Sequence, residues 1–202
     1  MITDKNEFTH RSENRAHALI LAAYDTIAEK GFEGLRLREV ADQVGMNHAT
    51  LHHYFPTKET LVQAVVSYAT QRLGETTVSP EGTPADQLRT HLRLLRQQMQ
   101  EEPALFIVLT EVGLRAQRDP AIRAVVQPQA EGWLAFLVNI LQAGIERGDW
   151  PKHLDAETVA SAIIAVIQSV SLMNVKLSPK RTEQALKQLE FWLLGENAEP
   201  VL

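Results

Sequence analysis

The chain has 202 residues, 45% of them hydrophobic and 22% charged, with a formal net charge of −5 and no cysteine. That is ordinary globular composition, long enough to bury a core as one large domain or two small ones. The absence of thiols excludes disulfides, thiolate chemistry and cysteine-ligated zinc.

The N-terminus, MITDKNEFTH, lacks the apolar core of a signal peptide. The longest nearly apolar run, Ala162 to Ile167, is far short of the roughly 20 residues that span a bilayer. A cytoplasmic protein with no membrane partner is expected. Proline and glycine punctuate helical stretches, and no segment alternates with β-branched enrichment, which predicts an all-α fold of about nine helices.

The most informative stretch runs from Leu35 to Leu61, LRLREVADQVGMNHATLHHYFPTKETL. Val40, Ala41 and Val44 give a short apolar face at helical spacing, and Gly45 suits a turn that needs positive φ. Asn47 can cap the next helix, in which Leu51 and Phe55 share an inward face. At 3.6 residues per turn Ala49, His52 and His53 lie mostly away from that face, available to a partner. Pro56 breaks the helix, Thr57 is a capping candidate for the following one, and Lys58 and Glu59 fall in its first turn. Two short helices at a tight turn followed by such a clamp place a helix in a groove of DNA.

A fourth helix, with Leu61, Val65 and Tyr68 beside Val62, Val66 and Ala69, is expected to reach about Gly74. GETTVSPEGTP reads as a linker, in which Thr83 as cap and Pro84 at the first helical position start a fifth helix, to about Glu101. Pro103 starts a sixth. Asp119 and Pro120 open a seventh that ends near Gly148, Asp155 an eighth to about Leu177, and Ser178 with Pro179 a ninth to about Leu194. The expected division is 1–60 with helix four to about 74, then 75–202.

Gly45, Met46, Asn47, Ala49, Thr50, Leu51, Tyr54, Phe55, Lys58, Glu59 and Leu61, in that order, resemble the DNA-binding signature of the TetR-type bacterial regulators. ILAAYDTIAEKGF, Ile20 to Phe32, resembles the first helix and Gly-aromatic turn of the same domain. The likeness is strong over about residues 15–70 and one of architecture beyond. It implies a three-helix helix-turn-helix domain joined by the fourth helix to an effector-binding and dimerisation domain. It also implies DNA contacts from Arg36, Asn47, His48, Ala49, Thr50, His52, His53, Tyr54 and Lys58. Two departures stand out. Leu35 and Arg36 replace the usual Ser or Thr before the second helix, so a phosphate contact would come from Arg36 instead. His52 stands where a Tyr is common, and base readout there would differ.

Charge opposes this reading, because residues 1–60 carry nine acidic side chains against seven basic ones, whereas a nucleic-acid binder is expected to present a basic surface. Segregation of charge by face reconciles the two and predicts moderate, salt-sensitive affinity.

In the eighth helix, SAIIAVIQSVSLMNV has apolar or small residues on nearly every face, so it should be buried both in its own subunit and elsewhere. Ile163, Ile164 and Ile167, with Leu186, Leu189, Trp192 and Leu193 of the ninth helix, would suit a two-fold four-helix dimer seam. The alternative is a monomer whose core ends in a buried hairpin. A small-molecule effector would sit among helices five to eight, with His91, Gln98, Asn139 and Asn174 as polar lining and Phe106 and Trp133 as aromatic walls. For each, a satisfied core polar group or packed aromatic is an equal alternative.

His48 and His52 have the spacing of two metal-ligating imidazoles, but HATLH lacks the Glu of a zinc-hydrolase motif and no third ligand is near. No metal, no cofactor and no catalytic constellation is expected. An enzyme on a helical bundle and an adaptor that ignores DNA both leave Leu35–Leu61 unexplained. The reading is a ligand-responsive regulator, a repressor that binds an inverted-repeat operator as a homodimer.

Overall fold

The computed structural model describes residues 3–74, 76, 82–174 and 179–195, with side chains from residue 12 onward except 172–174, 179, 181 and 182. Among the described residues there are nine α-helices and no strand. They are α1 (Thr3–Lys30), α2 (Leu37–Gln43), α3 (His48–Tyr54), α4 (Lys58–Gly74) and α5 (Pro84–Glu101). These are followed by α6 (Pro103–Ala116), α7 (Pro120–Arg147), α8 (Ala156–Asn174) and α9 (Pro179–Leu194). A 3-10 turn, Phe32–Gly34, separates α1 from α2. No described helix is long and apolar enough to cross a membrane. Most of the expected GETTVSPEGTP linker, the eighth helix's end near Leu177 and the Ser178 cap lie outside the described residues.

Local chemistry sets the boundaries. The α1 helix starts at Thr3, well ahead of Ile20, and stops where Gly31 takes φ +70° while its N–H still bonds to the Ile27 carbonyl at 2.9 Å. Gly45 at φ +66° closes α2, with the Met46 N–H bonded back to the Ala41 carbonyl at 2.8 Å, a hydrogen-bonded stop that an L side chain would strain. Thr83 and Asp86 exchange side-chain and backbone bonds at 3.2 Å, a capping box ahead of Pro84. Asp119 Oδ1 accepts from the Ala121 and Ile122 N–H groups, and Asp155 Oδ1 from that of Thr158. Pro128 lies inside α7 on an exposed face. It lacks the N–H for the Ala124 carbonyl, and on that face water can satisfy the freed group.

The chain divides into two compact units. The first comprises Met1–Gln71 with Glu111–Val126, so the end of α6 and the start of α7 join the N-terminal helices. Its buried residues include Leu19, Ala23 and Ile27 on one face of α1, with Val40, Ala41, Leu51, Phe55, Leu61, Val62, Val65 and Val66. Each such side chain of Val or Leu size contributes about 1.5–3 kcal/mol on burial.

The second unit comprises Arg72–Thr110 with Gln127–Leu202. Leu88, Leu92, Leu95 and Met99 line the inner face of α5, and α9 packs against both α5 and α8. Arg96 of α5 and Glu190 of α9 form a buried ion pair, so removing either partner would strand a charge in the core. Gly144 is fixed by packing, since a methyl there would overlap the Trp150 ring, whose Nε1–H donates to the Leu193 carbonyl at 2.7 Å.

Candidate nucleic-acid interface

The α2–turn–α3 unit presents one outward face. Leu51 and Phe55 are buried, while Asn47, His48, Ala49, His52 and His53 are exposed and Thr50 and Tyr54 half-buried. Asn47 Oδ1 accepts from the Thr50 N–H at 2.8 Å and from its hydroxyl at 2.9 Å, so these two residues cap the helix. The His48 and His52 rings stand perpendicular with centroids 4.3 Å apart, and His52 Nδ1 lies 3.0 Å from the Pro56 carbonyl oxygen. At the start of α4, Thr57 and Thr60 exchange hydroxyl–amide bonds at 3.2 Å.

Arg36 occupies the N-cap position of α2 without a side-chain cap bond. Its guanidinium instead donates to the Glu33 carbonyl at 2.5 Å, tying back the 3-10 turn, and the side chain is otherwise exposed. Lys58 is half-buried with its ammonium 5.5 Å from the centre of the Phe32 ring. Burial pushes its pKa down; the Arg36 and Arg115 charges add to that, and Glu33 and Glu59 oppose it.

Phe32 is where distant sequence meets. The Arg115 guanidinium lies 5.3 Å from its ring centre, and Glu111 Oε2 accepts its backbone N–H at 3.0 Å. Arg115 also pairs with Asp119 at 3.3 Å and approaches Glu33 at 3.6 Å. Sequence reading did not single out Glu111 or Arg115. Nothing in a heptad-scale pattern relates them to a turn some eighty positions upstream.

The expected effector-lining residues do not form one set. His91 is wholly buried and satisfied at both nitrogens. Its Nδ1 lies 2.9 Å from the Thr76 carbonyl and therefore carries the proton, and Nε2 accepts from the Trp133 indole N–H at 2.9 Å. Gln98 donates to the Arg72 carbonyl at 2.9 Å, while its buried Oε1 has no partner among the described residues. Phe106 is core. Asn139 points to solvent, on the face of α7 opposite the buried Leu137, Ile140 and Leu141, and does not line the interior as expected. The Asn174 side chain lies outside the described residues.

Burial depresses the His91 pKa, with the Thr76 carbonyl opposing the shift. The unfolded chain therefore takes up a proton more readily than the folded one. The stability this group contributes is complete above about pH 6.5, and is lost as pH falls below that toward the depressed folded value. Thermal melts between pH 8 and 5 should show wild type losing stability more steeply than His91→Gln, by at most about 1.4 kcal/mol per pH unit. Parallel pH profiles would mean that His91 is not held neutral.

The residues expected at a dimer seam divide into two groups. Ile163, Ile167, Leu186 and Leu189 are buried within the chain itself and leave nothing for a partner to cover. Ile164 and Leu193 are half-buried, Trp192 is 74% exposed and its neighbour Phe191 39% exposed.

An all-helical chain with a capped turn and an exposed second helix is, by class, a DNA-binding helix-turn-helix protein. Residues 19–65 match the family model described as bacterial regulatory proteins, tetR family, and residues 78–188 that of the tetracyclin repressor-like C-terminal domain. The chain belongs to the TetR family of transcriptional regulators. It is 28% identical over 153 residues to the HTH-type transcriptional regulator CymR of Pseudomonas putida, covering 65% of this chain and 68% of that one. A TetR transcriptional regulator from Chloroflexus aurantiacus J-10-FL superposes with a TM-score of 0.82 at 19% identity, over 92% of this chain and 97% of that one. AibR, solved in complex with isovaleryl coenzyme A and operator DNA, superposes with a TM-score of 0.73 at 20% identity, over 89% and 98% of the two chains. At these identities both structures speak to the fold alone.

Proposed function

We propose that this protein is a ligand-responsive repressor that binds an inverted-repeat operator as a homodimer and leaves it when a small molecule binds. The observation that carries the reading is the outward face of α3, which is fixed from below by Leu51 and Phe55 and at its start by Asn47. Its side chains His48, Ala49, His52 and His53 would enter the major groove, with Arg36, Tyr54 and Lys58 toward phosphates. The exposed Trp192 and Phe191, with Ile164 and Leu193, supply an apolar surface for a second copy.

The effector would bind in the second unit, where Gln98 Oε1, without a partner among the described residues, offers an acceptor to a ligand donor. AibR, a protein of this fold solved with isovaleryl coenzyme A and operator DNA, is an example that takes both a small molecule and an operator. Two recognition helices must sit roughly 34 Å apart to meet successive half-sites. An effector that prefers a wider spacing would shift the population away from DNA. The α4, α6 and α7 helices each run from one unit into the other, which gives that shift three covalent routes.

Selection from random duplexes should return an inverted repeat, and scrambling one half-site should remove most of the affinity. A single asymmetric motif bound by one copy of the chain would overturn the reading.

A further inference from the structure

We propose that His52 is a specificity-determining residue of fixed tautomer, whose neutral ring selects a base pair presenting an exocyclic amine to it in the major groove, from cytosine or adenine. The proposal rests on the reading of α3 as the groove helix. It adds which atom reads and what that atom accepts.

The argument starts from Pro56. Its carbonyl oxygen lies 3.0 Å from His52 Nδ1. A carbonyl can only accept, so Nδ1 holds the single hydrogen of the neutral imidazole and Nε2 keeps its lone pair. An unrestrained surface histidine passes between two tautomers and can offer a donor or an acceptor at its tip. The Pro56 carbonyl removes that choice. The carbonyl is itself well placed, because Phe55 before it is buried and Thr57 after it is tied to Thr60.

The ring is also restrained sideways. His48 lies one turn earlier on the same exposed face, with its ring perpendicular to that of His52 and 4.3 Å away between centroids. Among the described residues no carboxylate forms an ion pair with His52. The charged residues on the adjoining elements are Arg38, Glu39 and Asp42 of α2 and Lys58 and Glu59 in the first turn of α4, with Arg72 at that helix's far end, and its own helix adds His48 and His53.

In the major groove only cytosine N4 and adenine N6 are donors, whereas guanine N7 and O6 and thymine O4 are acceptors. An Nε2 lone pair therefore discriminates in favour of cytosine and adenine. Facing guanine or thymine it would set acceptor against acceptor, and the hydrogen bond would be lost. A tyrosine hydroxyl, which donates as readily as it accepts, would not impose this choice.

The test is selection from random duplexes at about pH 8, where free imidazole is neutral, with wild type and His52→Phe. Phenylalanine keeps the ring and removes both nitrogens, and matching circular dichroism and melting curves establish that the variant is folded. Wild type should favour cytosine or adenine over guanine and thymine by about fivefold or more at one position of the site, the worth of a single hydrogen bond. In His52→Phe that preference should fall below about twofold while the other positions keep theirs. A motif unchanged in the variant overturns the proposal and leaves the α3 reading standing. The same holds if the position that loses discrimination favoured guanine or thymine. Failure of wild type to select any motif overturns both.

Discussion

Trp192→Glu should convert the protein to monomers of unchanged helical content and lower operator affinity by about 100-fold or more, whereas Leu189→Glu should not fold. The two residues lie three apart on α9 and were indistinguishable as members of one apolar face. Leu189 is buried at 8% exposure and Trp192 is 74% exposed. A carboxylate at 189 would have to enter the core beside α5 and α8, at a cost of several kcal/mol, a large part of a domain's net stability. A carboxylate at 192 stays in water in the single chain and is desolvated only if a second copy covers it. Losing the partner turns two tethered half-site contacts into one, and effective concentrations in the millimolar range make that worth about 10²–10⁴ in affinity. Light scattering, thermal melts and gel shifts separate the outcomes. An unchanged dimer for Trp192→Glu would move the interface away from this face of α9.

That contrast marks what sequence could and could not carry. Boundaries governed by neighbours in the chain were legible, since Asn47, Thr83, Asp119 and Asp155 all cap where side-chain chemistry predicts. Periodicity also placed Leu51 and Phe55 inside and Ala49, His52 and His53 outside. It could not say what covers an apolar face. Four of the seven residues read as a dimer seam are therefore core of the chain itself, in a unit where α9 packs on both α8 and the far-upstream α5. The same limit left His91 open. A lone polar residue on an apolar helix face reads equally as a ligand group or as a satisfied core polar group, and only the fold shows Thr76 and Trp133 meeting both its nitrogens. Arg36 shows a different failure. With no Ser or Thr to cap α2, its long side chain reaches back to the Glu33 carbonyl, a bond that helix rules do not anticipate.

Glu111→Ala should weaken operator binding although the residue is remote in sequence from the recognition helix. Phe32 is 8% exposed, and its backbone N–H, at the break between α1 and α2, is satisfied by Glu111 Oε2 at 3.0 Å. Alanine removes the acceptor and leaves a donor that water reaches poorly, a penalty of about 1–3 kcal/mol. The 3-10 turn would open to recover that bond, and Phe32 carries the contacts of both Lys58 and Arg115. The entry angle of α2, and with it the aim of α3, would then be less well defined. Exchange of the Phe32 amide with solvent should quicken by about 5- to 100-fold, the range that penalty implies. Operator affinity should fall in the same direction, while its dependence on salt stays unchanged, because no phosphate contact is lost. Glu111→Gln keeps a carbonyl oxygen at the same reach and should restore most of both properties. If Glu111→Gln behaves like Glu111→Ala, the carboxylate acts through its charge rather than as an acceptor for the turn. If neither variant alters exchange at Phe32, the turn is held by the Gly34 and Leu35 amide bonds to Gly31 and Phe32 and by the Arg36 bond to the Glu33 carbonyl.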